Sequence, residues 1–155
     1  MDWLVPVGLA CILSSGCQYD PNAHLLSHER PGMHDLVGVY VKDKCFIPAG
    51  SGAEPDTITV ELRADGSFQA TNAPPWVIGQ PQAEFYFNCV SDTGHWSIDR
   101  MGTVSPGDRP IWGVYLRDPG NRIHPAHITG AKGQYGLIFT IGDPDQGHAI
   151  MLRRQ

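Results

Sequence analysis

The chain has little charge and few lysines. Charged residues make up 17% of its 155 residues, and the formal net charge is -5. Its three lysines are Lys42, Lys44 and Lys132. Binding to nucleic acid depends on clustered cations that neutralise phosphates, so this composition predicts no nucleic-acid partner.

Several motifs of well-known chemistry are also missing. The sequence has no Gly-x-Ser-x-Gly elbow, no glycine-rich phosphate loop and no Cys-x-x-Cys pair. The turn Asp143-Pro144-Asp145 lacks the further oxygen ligands and the glutamate of a calcium loop. We therefore predict no cofactor, no metal site and no enzymatic activity.

Helical periodicity longer than two turns is absent, whereas short runs with a period of two recur. Residues 57–63 alternate most clearly, and Asp65-Gly66 after them predicts a two-residue hairpin turn. The sequence predicts strands over residues 36–45, 57–63, 67–71, 84–91, 94–99, 111–117, 122–129, 134–141 and 148–153.

Eight or nine strands without crossover helices predict an all-β antiparallel meander. Such a sheet closes on itself or splits in two, and we predict a single-domain, eight-stranded up-and-down β-barrel, with a β-sandwich as the alternative. Gly38-Val39-Tyr40 resembles the first strand of lipocalin-like and avidin-like barrels. Gly142-Asp143-Pro144-Asp145 before a last strand resembles small bacterial lipoproteins of unassigned function. Both resemblances imply fold and no activity.

The N-terminus carries an apolar run over residues 3–13, which is short for a membrane span and typical of a signal peptide. Leu13-Ser14-Ser15-Gly16-Cys17 then resembles a bacterial lipobox. The resemblance implies cleavage before Cys17 and a diacylglyceryl group on its thiol. A plain secretory signal cut near Gly16 and a buried N-terminal element are the alternatives.

These patterns divide the chain into a signal peptide (1–16), a spacer (17–34) and a barrel domain (35–155). We expect export to the cell envelope and anchoring to a membrane. In a diderm bacterium, Gln18 resembles the outer-membrane sorting pattern, which implies the outer membrane or the periplasm.

If Cys17 carries a lipid, Cys45 and Cys89 remain in the mature domain. An even pair in an exported protein predicts a disulfide, with two buried thiols as the alternative.

Candidate binding residues fall into two groups. Trp76, Val77 and Ile78 stand in a proline-rich loop that either covers the barrel mouth or forms a recognition patch. His124 and His127 flank Pro125, and residues three apart in a strand face opposite sides. His24 and His28 have helical ligand spacing but stand in the predicted spacer.

The sequence therefore predicts a lipid-anchored envelope lipoprotein that acts as a non-catalytic binding or interaction module. Its partner is a protein or a small apolar ligand. The alternative is a hydrolase or metal-dependent enzyme that uses His124, His127 and carboxylates at the barrel mouth. An interior filled by large side chains would exclude the small ligand, and the candidates for this role are Phe68, Trp96, Trp112, Leu137 and Phe139.

Overall fold

The strands form a closed barrel in the computed structural model, which describes residues 20–47, 57–73 and 90–155. The strands are β1 (Gly38–Phe46), β2 (Thr59–Leu62), β3 (Ser67–Ala73), β4 (Val90–Val104), β5 (Arg109–Arg117), β6 (Ile123–Thr129), β7 (Gly136–Thr140) and β8 (Ala149–Arg154). Each pairs antiparallel with the next, and β8 pairs with β1. The predicted eight-stranded up-and-down barrel is confirmed. The sandwich alternative is wrong because all eight strands belong to one closed sheet.

Helical structure is limited to short pieces. The described residues contain α1 (Met33–Leu36) and two 3₁₀ turns, η1 (Ala23–Leu25) and η2 (Pro144–Gln146). None of the helices in these parts of the chain is long and apolar enough to cross a membrane.

The barrel has two ends, defined by the antiparallel order of its strands. The end that carries the β5–β6 and β7–β8 connections is called the mouth, and the end at which β1 begins is called the base. At the base, Leu36 of α1 is fully buried, and the Tyr40 hydroxyl donates to the Leu36 carbonyl at 2.8 Å. Burial raises the pKa of Tyr40 to about 12.

Large side chains fill the interior, because every second residue of each strand points inward. Phe68, Trp96, Leu137 and Phe139 are buried, and Trp112 is partly buried and packs against them. Aliphatic residues from the remaining strands complete the cluster, among them Val60, Leu62, Leu116, Ile128, Ile150 and Leu152.

The first hairpin lies where the sequence predicts it, but its turn is longer by one residue. Arg63 N–H donates to the Ser67 carbonyl at 2.9 Å, so residues 64–66 form the connection. Of these three, Gly66 alone has a positive φ, 81°. Asp65 closes the turn by accepting hydrogen bonds from both the backbone and the hydroxyl of Ser67. The prediction of a two-residue turn is therefore wrong, because three residues connect the strands and Asp65 does not take the positive φ that a type I′ Asp-Gly turn needs at both positions.

A single long strand replaces the predicted strands over 94–99 and the end of 84–91. β4 continues through Gly94, which pairs with Phe68 of β3. A Cβ on Gly94 would overlap the Arg117 carbonyl oxygen and lie 2.7 Å from Phe68 Cε1. This glycine therefore allows close approach of neighbouring strands and does not mark a turn.

The described part of the predicted spacer lies against the barrel. Leu26 is buried and forms a bridge with Thr129, while Leu25 is exposed. Ser27 N–H donates to the Ile128 carbonyl at 2.8 Å, and Gly130 N–H donates to the Leu25 carbonyl at 3.2 Å. This stretch thus adds a short extended segment to the edge of β6.

Candidate functional site

The two candidate histidines of β6 lie on opposite sides of the barrel wall. His124 pairs with Leu116, faces the interior and is 2% exposed. His127 pairs with Ile138 on the outer face and is partly exposed. The strand keeps its alternation through Pro125, so the two imidazoles do not converge on one site.

His124 instead lies beside a buried carboxylate at the mouth. Its Nε2 is 3.7 Å from Asp118 Oδ2, in the connection between β5 and β6. The backbone N–H of Arg122 donates to Asp118 Oδ1 at 2.9 Å, and Arg122 Nε donates to Asp118 Oδ2. We call Asp118, Arg122 and His124 the mouth cluster.

Asp118 holds the β5–β6 connection together. Besides the side-chain bonds, Asp118 N–H donates to the Arg122 carbonyl at 3.1 Å, and Asn121 N–H donates to the Asp118 carbonyl at 2.9 Å. The turn directs Arg122 back over the barrel mouth, where its Nη2 lies 3.9 Å from Asp92 Oδ2 of β4. The cluster therefore connects β4, β5 and β6 at this end.

The charges of the mouth cluster are set by burial and by Arg122. Burial alone would raise the pKa of Asp118, but the backbone and side-chain hydrogen bonds from Arg122 hold that pKa below its usual value. Burial lowers the pKa of His124, although the neighbouring Asp118 opposes the shift. At neutral pH the cluster therefore contains a carboxylate, a guanidinium and an uncharged imidazole.

Neither ring nitrogen of His124 lies within hydrogen-bond distance of a partner among the described residues. Two polar nitrogens without hydrogen bonds in an apolar interior weaken the fold.

The position of His124 also bears on catalysis, because a general base must reach a substrate proton. His124 is enclosed, and the oxygens of its carboxylate neighbour are occupied by Arg122. This arrangement suits the support of a turn better than proton transfer.

Two open pockets lie on the described surface, and one of them borders the mouth cluster. One, of about 370 Å³, lies across β3, β4 and the end of β5, with Gly94, His95, Arg117 and Asp118 in its lining. A groove of about 1060 Å³ runs along the outside of β7 and β8, and its lining includes His24, Tyr135, Ile138, Met151 and Arg153.

The sequence predictions did not include Asp118 and Arg122. A usable signal was present, because Val114, Leu116 and Asp118 follow the period of two that places Leu116 inside. A carboxylate in phase with an interior face needs a partner, and the next arginine in the chain is Arg122.

Several predicted site residues lie outside the described parts of the chain. These are Cys17, the proposed lipid site, Cys89 of the proposed disulfide, and Trp76, Val77 and Ile78 of the proline-rich loop. Cys45 is partly buried in β1 opposite Ile150, near the mouth. The lipid site, the disulfide and the recognition patch stay predictions.

The histidines of the N-terminal segment do not share a helical face. His24 lies in η1, which ends at Leu25, and its Nδ1 is 3.0 Å from the Pro21 carbonyl oxygen. His28 Nδ1 is 2.9 Å from the Pro110 carbonyl oxygen. Within the described residues, no three His, Cys, Asp or Glu side chains are grouped so that they could hold a metal ion.

Comparisons with protein-family models, curated proteins and solved structures found no match to this chain.

Proposed function

We propose that this chain is an exported, lipid-anchored module of the cell envelope that binds a protein partner through its outer surface, without catalysis. The filled interior carries the proposal. Lipocalin-like modules hold ligands in an open cavity, whereas Phe68, Trp96, Leu137 and Phe139 occupy that volume here. The protein partner would then bind to the outer wall of the barrel and to its loops.

The lipid anchor is supported by the resemblance of Leu13-Ser14-Ser15-Gly16-Cys17 to a lipobox. A diacylglyceryl group supplies two acyl chains, which hold a protein on a membrane stably where one chain binds reversibly. The module would then meet its partner at the membrane surface.

The alternative, a hydrolase or metal-dependent enzyme, has less support. It needs His124 and His127 to act together or to contact a substrate. The two histidines face opposite sides of β6, and His124 is enclosed beside an ion-paired carboxylate.

Intact mass spectrometry of the protein from the membrane fraction tests the anchor. We expect a chain that begins at Cys17 and carries acyl groups, and a Cys17→Ser variant that leaves the membrane fraction. An unmodified or uncleaved N-terminus would contradict the proposal. The same spectrum tests the Cys45–Cys89 disulfide, which lowers the mass by about two daltons relative to two thiols.

Titration with a fluorescent fatty acid tests the filled interior. We expect no saturable binding with one ligand per chain, because the core side chains leave no room for an acyl chain. Saturable binding that an unlabelled fatty acid displaces would instead favour the small-ligand module.

A further inference from the structure

The N-terminal segment is held to the barrel over almost its whole described length. Asp20 is fixed by local bonds: Asn22 N–H donates to its Oδ1 at 2.8 Å, and Ala23 N–H donates to its carbonyl at 3.0 Å. Further along, Leu26 bridges Thr129, and the Arg30 guanidinium lies 5.3 Å from the centroid of the Trp112 ring. The segment therefore has a defined position on the barrel wall.

Its first described residues lie beside the β7–β8 connection at the mouth. Pro21 packs against Gly147, since a Cβ on that glycine would lie 2.8 Å from Pro21 Cγ. The charge of Asp20 also acts on His127, on the outer face of β6, where it opposes the lowering of the histidine pKa by burial. From there the segment runs along the outer wall to Gly130 near the base.

Cys17 precedes Asp20 by three residues. An extended chain spans at most about 3.6 Å per residue, so the two residues lie within about 11 Å of each other. A lipid on Cys17 would thus enter the membrane close to Pro21 and Gly147. We propose that the barrel docks on the phospholipid surface with the corner formed by residues 142–148, and this orientation rests on the proposed lipidation of Cys17.

The chemistry of this corner favours zwitterionic lipid headgroups. Asp143 and Asp145 are exposed there, and Asp143 accepts a hydrogen bond from Asp145 N–H that fixes the turn. Two carboxylates near the membrane would be repelled by anionic lipids, whose surface potential attracts basic residues. Zwitterionic phospholipids have no net charge and would not repel these carboxylates.

The β4–β5 hairpin is then presented away from the membrane. Its turn belongs to the base, and β4 continues from His95, opposite Ser67, to Val104. At about 3.3 Å per residue, these ten residues of the strand span about 30 Å. The orientation leaves the hairpin free to meet the protein partner.

Photo-crosslinking to lipid tests the orientation in the full lipidated chain. A benzophenone amino acid replaces Asp145 in one variant and Thr103 in a matched variant, both at exposed positions. Each variant is placed in vesicles of phosphatidylcholine and phosphatidylethanolamine. We expect several-fold more lipid adduct, measured by mass, from position 145 than from position 103.

A third variant lengthens the tether by twelve Gly and Ser residues after Tyr19, which adds a reach of about 20 Å. We expect vesicle binding to persist and the excess of adduct at position 145 to fall. Vesicle binding with equal adduct at both positions would overturn the orientation alone. An excess at position 145 that the longer tether leaves unchanged would support docking of the corner and exclude the short tether as its cause. Loss of vesicle binding by the variants with an intact Cys17 would overturn the anchor itself.

Discussion

The barrel interior and the mouth cluster are built on the same strands, yet they are stabilised differently. Leu116 and His124 are paired neighbours that both point inward, and one residue beyond the end of β5 stands Asp118. Inside, stability comes from apolar burial, which has no preferred direction. At the mouth it comes from a few directed bonds to one carboxylate. The comparison teaches that a buried carboxylate is held in this wall by a charged partner, Arg122, whereas the buried Tyr40 hydroxyl needs only a backbone carbonyl.

The largest loss of stability is expected from a substitution in the apolar interior of the barrel. Phe68→Ala removes a fully buried ring and should lower the free energy of unfolding by about 3–5 kcal/mol. Gln69, the next residue, lies on the exposed face of β3 and gives a matched control. Gln69→Ala should change the free energy of unfolding by less than about 0.5 kcal/mol. Urea unfolding measures both. A small loss for Phe68→Ala would mean that the interior is loosely packed.

Gly94 lies at the boundary between the two regions, against both Phe68 and Arg117. Gly94→Ala introduces a methyl group into the Arg117 carbonyl and should cost about 1–3 kcal/mol. Gly102→Ala in the same strand is the control, since a Cβ there meets no atom within 4 Å. Equal midpoints for the two variants in thermal unfolding would argue against close strand approach at Gly94.

The mouth cluster is tested by Asp118→Asn, which keeps the shape of the side chain and removes its charge. We expect a lower urea midpoint at pH 7, and a smaller loss of unfolding free energy than for Phe68→Ala. The native pKa of Asp118 is lowered, so its stabilisation is present above the unfolded value of about 3.9.

This stabilisation should disappear as the pH falls through the lowered native pKa of Asp118, because the native carboxyl is then protonated too. The difference between native chain and Asp118→Asn variant should therefore shrink in acid. A difference independent of pH would mean that the charge of Asp118 plays no part.

The smallest change in stability is expected from substitution of His124, and it should depend on pH. Its native pKa lies below the unfolded value of about 6.5, so the unfolded chain takes up the proton first. Stability should fall as the pH drops from about 7 through that window, with a slope of at most about 1.4 kcal/mol per pH unit from this group.

His124→Leu removes this proton uptake and should flatten the dependence of stability on pH between 7 and 5. Part of the slope should remain, because burial also lowers the pKa of His127. His95→Gln, at an exposed position in β4, is the control. A slope as steep in His124→Leu as in the native chain would mean that proton uptake by His124 does not contribute to the pH dependence.

Strand periodicity predicted the barrel because the residues that alternate are those that fill its interior. It failed at Gly94, where a residue common in turns is needed for close strand approach, and at Asp65-Gly66, where only one residue takes positive φ. The contacts of Gly94 come from Phe68 and Arg117, which are distant in sequence, whereas the turn at Asp65-Gly66 joins two consecutive strands and differs only in its length. The mouth cluster was not predicted from the sequence, because it depends on the path of the β5–β6 connection. Asp118 was in phase with the interior, but only the fold shows that Arg122 turns back to meet it.

The contact of residues 25–27 with β6 has a mechanical consequence. A pull on the N-terminus would not reach β1 directly. After the contact of Pro21 with Gly147, it would load the hydrogen bonds between Ser27 and Ile128 and between Leu25 and Gly130, and so pass into a strand about one hundred residues further along the chain. Because residues 25–27 lie outside the eight strands, breaking these two bonds would free this stretch and leave the strand pairs of the barrel intact.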